Sequence, residues 1–345
     1  MNKFRQILLF SSAFLLTMIL SELFIRTSHL ASVSSKEYYD DIGSGRRKNL
    51  KYLYFNEGFG IGKFNKYRYI GEANSSKKSK NTIRIALVGD SYVESFHVFE
   101  RDYFGNFSEK TLKEQFPEKD FEFLNFGMSG FDIGNMYAYH RTFVDKFNPD
   151  YILYMISEIN LVPNYKYPLR PKTILENDSI VISFDFPISD INNFKNTKFL
   201  MQHSSIINMI NNGRIKSKKT PIQETLFDKI YYWIKAPKEL SKSNKKDVLK
   251  YNIDPVTVKI INTLDSEKVI VVNRSGSEWP IEFHKLCLDN GFSFIDLSKT
   301  LDLMKRSGND PNEWKVTRKR GHWNHAAHKA VGEEIANQLI KIIDE

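Results

Sequence analysis

A single cysteine stands among the 345 residues, and one cysteine excludes any internal disulfide framework. Cys287 falls within an apolar helical pattern and reads as a buried structural thiol, so it says nothing of redox compartment. A long block of one charge is also missing. The 50 Lys and Arg exceed the 41 Asp and Glu by +9, but the excess is scattered over short patches such as Lys77–Lys80 and Ile215–Lys219. Such patches read as solvated loops rather than a nucleic-acid-binding stripe, and nucleic acid is not expected as a partner. What is present is 41% hydrophobic and 14% aromatic residues, enough for a packed core and too much for a disordered chain.

The N-terminus carries one long apolar run, residues 7–25, "ILLFSSAFLLTMILSELFI", preceded by Lys3 and Arg5. Its length suits a membrane span, and no convincing A-x-A cleavage site follows it. The expectation is a single-pass anchor over residues 1–25, with the body outside the cytoplasm, periplasmic or extracellular. A cleaved signal peptide is the rival reading.

Residues 26–80 read as a spacer ending in the polar run "GEANSSKKSKN". Five strand-like segments follow: Ile83–Val88, Phe121–Gly127, Tyr151–Ser157, Lys268–Asn273 and Phe292–Leu297. Helical patterns separate them, including "FSEKTLKEQF", "GNMYAYHRTFVDKF" and "EWPIEFHKLCLDN". Strands alternating with helices predict an α/β fold, a doubly wound parallel sheet in an α/β/α sandwich, over residues 81–170 and 250–345. The alternation breaks over residues 171–249, an insertion. "TILENDSIVISFDF" there predicts a hairpin turning at Asn177-Asp178, and the aromatic "ETLFDKIYYWIKAP" predicts a helix, read as packing or, more sharply, as a lid over a site.

The chemistry begins where the first core strand ends, at Gly89-Asp90-Ser91. Taken alone, this triplet could be an ordinary turn and helix cap. Parallel sheets, however, bind ligands at the carboxyl ends of their strands, and the other ends carry matching chemistry. The second strand runs into "NFGMSGFDIGN" with Gly130, and the third into "SEINLVPN" with Asn160. Near the C-terminus His322 precedes a long amphipathic helix whose expected cap is Asn324. A nucleophile, a backbone donor, an amide donor and a base thus occur in that order.

With these residues the sequence resembles the SGNH/GDSL hydrolase family, in a membrane-anchored, envelope-facing form, over residues 81–161 and from 250 onward. The resemblance implies Ser91 as nucleophile, His322 as base, and an oxyanion hole formed by the amides of Ser91 and Gly130 with the side chain of Asn160. Two departures stand out. The third block reads Glu158-Ile159-Asn160-Leu161 and keeps only the asparagine. The acid expected three residues before the histidine is replaced by Lys319, with Arg320 beside it. The orienting acid must then be Asp310, Glu313 or Asp296, or a backbone carbonyl serves a Ser-His dyad, or catalysis has been lost. His325 and His328 near His322 raise a metal reading, but no recognisable ligand set completes it, and neither metal nor cofactor is expected.

The resemblance implies a serine esterase acting through an acyl-enzyme on O-acyl esters, O-acetyl first, of an envelope carbohydrate. Two alternatives stay open. The same acyl-enzyme could pass its acyl group to a polysaccharide hydroxyl, or the fold could serve a non-catalytic glycan-binding or assembly protein with Lys319 and Arg320 near its pocket.

Overall fold

The computed structural model of the chain describes residues 3–55, 57–74, 77–165, 167–219 and 253–344. From the N-terminus, α1 (Lys3–Thr27) precedes two antiparallel hairpins, β1 (Lys36–Tyr39) with β2 (Gly43–Arg46) and β3 (Lys51–Tyr54) with β4 (Gly60–Lys63). Next come β5 (Thr82–Gly89), the short α2 (Ser91–Glu94), α3 (Phe104–Gln115), β6 (Asp120–Asn125), α4 (Ile133–Thr142) and β7 (Tyr151–Ile156). The hairpin β8 (Lys172–Glu176) and β9 (Ser179–Ser183) leads to α5 (Ile188–His203) and α6 (Ser205–Lys219). The chain closes with α7 (Pro255–Ile261), β10 (Val269–Asn273), α8 (Ile281–Asp289), β11 (Ser293–Asp296), α9 (Ser298–Arg306), a two-residue hairpin of β12 (Glu313–Trp314) and β13 (Lys319–Arg320), and α10 (His325–Asp344).

Contacts divide the chain into two units, Met1–Ser34 with Asn196–Lys250, and Ser35–Lys195 with Tyr251–Glu345. In the first, α1 is 25 residues long, about 37 Å at the helical rise, with a mean hydropathy of 2.1 over its most apolar window. It is long and apolar enough to cross a membrane. Glu22, the one acid of this run, has work inside the unit. Its carboxylate accepts hydrogen bonds from Ser204 Oγ (2.9 Å) and from the N–H groups of Ser205 (2.7 Å) and Ile206 (3.1 Å), capping α6.

The second unit is built on a five-stranded, all-parallel sheet in the order β11-β10-β7-β5-β6. Along β5 the pleat sends Ile85 and Leu87 to a core shared with α3, α9 and α10. It sends Ala86 and Val88 to a core shared with α4, α7 and α8. Helices on both faces explain why this strand is apolar on both sides. Arg84 is the exception: fully buried, it pairs with Glu122 (2.6 Å) and donates to the carbonyl of Phe147, so its charge is compensated. Since β5 is the first core strand, the order is the 2-1-3-4-5 doubly wound arrangement, which reverses direction between β5 and β7. Cys287 is buried on α8, and burial pushes its thiol up to about 12. The Asn324 carbonyl oxygen Oδ1 accepts from Ala327 N (3.0 Å) and caps α10.

Two sequence expectations need correction. The stretch 26–80 is not a bare spacer, because residues from Ser35 onward belong to the sheet unit. There Tyr52, Phe64 and Ile70 form a small core with Phe96, and Ile70 bridges to Asn125 at the sheet edge. Four-residue strands separated by polar residues are too short to show a periodic signal. The insertion, expected as one piece over 171–249, is divided: β8 and β9 lie in the sheet unit, whereas residues from Asn196 group with α1. The β8–β9 turn does fall at Asn177 and Asp178, both at positive φ (49° and 60°) as a type I′ hairpin requires. The aromatic segment 224–237, on which the lid reading rests, and residue 250, where the core was expected to resume, lie outside the described residues.

Candidate active site

Ser91 opens α2 directly beyond the carboxyl end of β5, next to the strand-order reversal. Its turn is set by Asp90, whose Oδ1 accepts from Tyr92 N (3.0 Å). The other oxygen, Oδ2, accepts from Asn160 Nδ2 (3.1 Å) and forms a buried ion pair with Arg274 at the end of β10. Arg274 lies over the Tyr92 ring with its guanidinium carbon 4.3 Å from the ring centroid.

His322 stands just ahead of α10 and reaches Ser91. Its Nε2 is 2.7 Å from Ser91 Oγ, and its Nδ1 is 2.8 Å from Glu57 Oε2. The same Glu57 oxygen accepts the His322 backbone N–H at 2.7 Å. A carboxylate can only accept, so Nδ1 carries the proton and Nε2 presents a lone pair to the Ser91 hydroxyl. Burial works against the charge on Glu57, but the hydrogen bonds from the His322 ring and backbone hold its carboxyl below the usual range.

Glu57 comes from the loop between β3 and β4, and two glycines allow its close approach. A Cβ on Gly321 would come within 2.2 Å of Glu57 Cδ, and one on Gly58 within 1.9 Å of the Trp314 ring. Trp314 in turn donates its indole N–H to the His322 carbonyl (3.0 Å). Behind His322 stands His97, stacked with ring centroids 4.7 Å apart and buried. His97 Nε2 meets His328 Nε2 at 3.1 Å, and His328 Nδ1 accepts from Phe104 N at 3.2 Å. Burial first, and then the neighbouring imidazoles, lower both: His97 well below its ordinary value, and His328 to about 3.

No protein-family model matches the sequence, and no curated protein matches it. Among solved structures, the chain is similar to a two-domain esterase active on acetylated mannans, at 14% identity and a TM-score of 0.38, over 76% of this chain and 50% of that one. It is also similar to an acetyl xylan esterase, at 14% identity and a TM-score of 0.34, over 74% and 98% of the two chains. A lipase/acylhydrolase from Enterococcus faecalis has 12% identity and a TM-score of 0.35 over 74% and 95%. The chain thus spans half the length of the first of these.

The structure brings Ser91 and His322 together and places Gly130 in the loop alongside. Met128 N donates to Gly89 O (3.0 Å) and Ser129 N to Glu94 on α2 (2.8 Å). Gly130 has φ of +75°, which glycine adopts without strain. The N–H groups of Ser91 and Gly130 have no acceptor among the described residues. Asn160 is placed differently from the oxyanion role expected of it. Both of its amide hydrogens are committed, to Asp90 Oδ2 (3.1 Å) and to Phe131 O (2.9 Å). Its oxygen accepts from Ser157 and Arg274. In this arrangement it ties the strand ends together.

The carboxylate at the His322 ring is Glu57, not any of the three acids considered from sequence. Asp310 pairs with Arg320 (2.7 Å) and accepts from Asn312 N. Asp296 accepts from Asn273 Nδ2 (3.0 Å) and Ser298 N (2.9 Å). Glu313 is an exposed residue of the small hairpin, opposite Arg320. Lys319, on the same hairpin, is exposed. Of the histidines weighed as metal ligands, His328 bonds to His97 and His325 lies 3.3 Å from Asp102. Glu57 had no signal in the sequence, since it follows a four-residue strand in a stretch without apolar periodicity.

A cavity of about 370 Å³ is walled by Tyr92, Ser157, Arg274, Ser275, Ser277 and Asn312 among others. A larger one, of about 1110 Å³, runs along the β6 edge. Neither is walled by Ser91, His322 or Glu57, but the smaller includes Tyr92 and Trp323, the chain neighbours of Ser91 and His322.

Proposed function

We propose that the protein is an SGNH-type serine esterase that cleaves O-acyl esters through an acyl-enzyme on Ser91. One observation carries the reading, the continuous chain from Ser91 Oγ through the His322 ring to Glu57, with links of 2.7 and 2.8 Å. His322 Nε2 takes the hydroxyl proton as Ser91 Oγ attacks the ester carbonyl, and Glu57 holds the ring and stabilises the imidazolium that forms. The amides of Ser91 and Gly130 receive the oxyanion. His322 then protonates the departing alcohol, and water attacks the acyl-serine by the same steps in reverse roles. Asn160 adds a third donor only if it releases Asp90 or the Phe131 carbonyl.

The substrate class we infer is an acylated carbohydrate, O-acetyl first. The cavity beside Tyr92 presents hydroxyl and amide groups that suit sugar hydroxyls, and α1 would hold the enzyme at the membrane with its body outside the cytoplasm. Transfer of the acyl group to a sugar hydroxyl is the second reading, because the same acyl-enzyme serves either acceptor. The connected triad disfavours a non-catalytic role, and Arg320, invoked there for binding acidic glycan, is paired with Asp310.

Labelling with a serine-directed fluorophosphonate tests this function. The wild type should be labelled and Ser91→Ala should not. Equal labelling of the two, or none of the wild type, contradicts the reading. A C-terminal reporter active only in the cytoplasm would contradict the orientation.

A further inference from the structure

The loop that carries Gly130 is held by a side chain that neither the triad nor the family resemblance accounts for. Arg170 donates through Nη2 to the carbonyl of Ser129 (2.6 Å) and through Nη1 to the carbonyl of Gly130. Successive carbonyls of an extended chain point to opposite sides. Here both face one guanidinium, which the positive φ of Gly130 permits.

The guanidinium is itself fixed. It lies 4.1 Å from the centroid of the Tyr167 ring and 5.4 Å from that of Phe131. Its chain neighbours are pinned too, Leu169 O by Ser44 N (2.8 Å) and Pro171 O by Asn135 Nδ2 (2.8 Å). On the other side of the loop Glu94 accepts both N–H and Oγ of Ser129, and Glu94 is held by Arg46 (2.5 Å). Ser129 is thus gripped on both sides, its carbonyl by Arg170 and its N–H and hydroxyl by Glu94 of the helix that begins with Ser91.

In a trans peptide the C=O and N–H point in opposite directions. Fixing Ser129 O toward Arg170 therefore turns the Gly130 N–H away from it, and that N–H has no acceptor among the described residues. A cation on the carbonyl also polarises the amide and makes its N–H a stronger donor. We propose that Arg170 is a positioning residue of the oxyanion hole, aiming and strengthening the Gly130 N–H by holding the Ser129 and Gly130 carbonyls. This rests on the esterase reading above. Arg170 touches backbone rather than reacting atoms, so its effect should appear in turnover and not in substrate binding.

The test uses the full chain with Arg170→Met and Arg170→Lys, the latter keeping the charge but lacking the fork that holds two carbonyls. Steady-state hydrolysis of an acetyl ester should show kcat lowered about ten- to a hundredfold in Arg170→Met with KM within about twofold, since loss of a whole oxyanion donor costs about 10²–10³. Arg170→Lys should recover part of the loss, and melting temperatures report whether each variant folds.

A second readout needs no activity. Labelling serine carbonyls with ¹³C and glycine amides with ¹⁵N selects the four Ser–Gly peptides, at Gly45, Gly130, Gly276 and Gly308. The Gly130 ¹⁵N resonance, assigned by its loss in Gly130→Ala, should move upfield in Arg170→Met while the other three stay. An unmoved Gly130 resonance overturns the proposal, as does an unchanged kcat or an effect confined to KM. A wild type without esterase activity contradicts the function instead, and the Gly130 shift still decides whether Arg170 holds the peptide.

Discussion

Glu57 and His322 are 265 residues apart in the chain, and one carboxylate oxygen of the first accepts both the ring Nδ1–H and the backbone N–H of the second. The double acceptance does more than a ring contact alone. It fixes the backbone at the point where the chain turns into α10 and selects the tautomer that faces Ser91. The carboxylate that the resemblance led one to expect at position 319 is thus met by Glu57, from a distant part of the chain.

Replacing that acid tests the assignment. Glu57→Gln should lower kcat for an acetyl ester by about 10⁴, the loss found when a triad carboxylate is replaced by its amide. Lys319→Asp should leave kcat within about twofold, because Nδ1 already has its partner. A large gain from Lys319→Asp would show that Glu57 does not orient the ring.

Gly321 tests the same contact by sterics. A Cβ there would lie 2.2 Å from Glu57 Cδ, so Gly321→Ala must move either the loop or the carboxylate. Activity should fall in the direction of Glu57→Gln, and the double variant should be no worse than the more damaged single one. Additive losses would mean that Gly321 acts elsewhere.

Much of this was legible in the sequence, and the parts that were not share a cause. The parallel core could be read because strands such as Ile83–Val88 and Lys268–Asn273 are buried on both faces and so are continuously apolar. Ser91 and Gly130 were legible because strand ends and tight turns demand particular residue types, and the Asn324 cap followed from helix-start chemistry. Glu57 and Arg170 were hidden. Each lies in irregular chain and finds its partners far along the sequence, the His322 ring and backbone for the one, the Ser129 and Gly130 carbonyls for the other. Asn160 was found, but which of its hydrogens are free is settled by packing against Asp90 and Phe131.

The buried imidazoles set a pH dependence of stability. His328 is held at about 3, and His97 well below its ordinary value, whereas the unfolded chain takes up protons at about 6.5. The unfolded state binds more protons below that value, so stability is full above about 6.5 and falls as pH drops toward 3. Denaturant midpoints should decline between pH 7 and 5, and the ring resonances of His97 and His328 should remain those of neutral imidazole throughout. Titration of either ring near 6 in the folded protein would contradict the burial argument.

Asn160→Ala removes two donated bonds and leaves the Phe131 carbonyl without its partner, so it should cost about 1–3 kcal/mol of stability. Thermal unfolding measures this. A variant as stable as the wild type but slower in turnover would return Asn160 to the oxyanion hole.

If an ester's acyl group passes through Ser91 with His322 and Glu57 behind it, rapid-quench mixing with p-nitrophenyl acetate, followed by peptide mass spectrometry, will catch it there. The wild type should show a burst of nitrophenol matched by acetyl on Ser91, Glu57→Gln a far slower burst, and His322→Ala none. Acetyl on another residue, or a burst that survives in Ser91→Ala, would contradict that route.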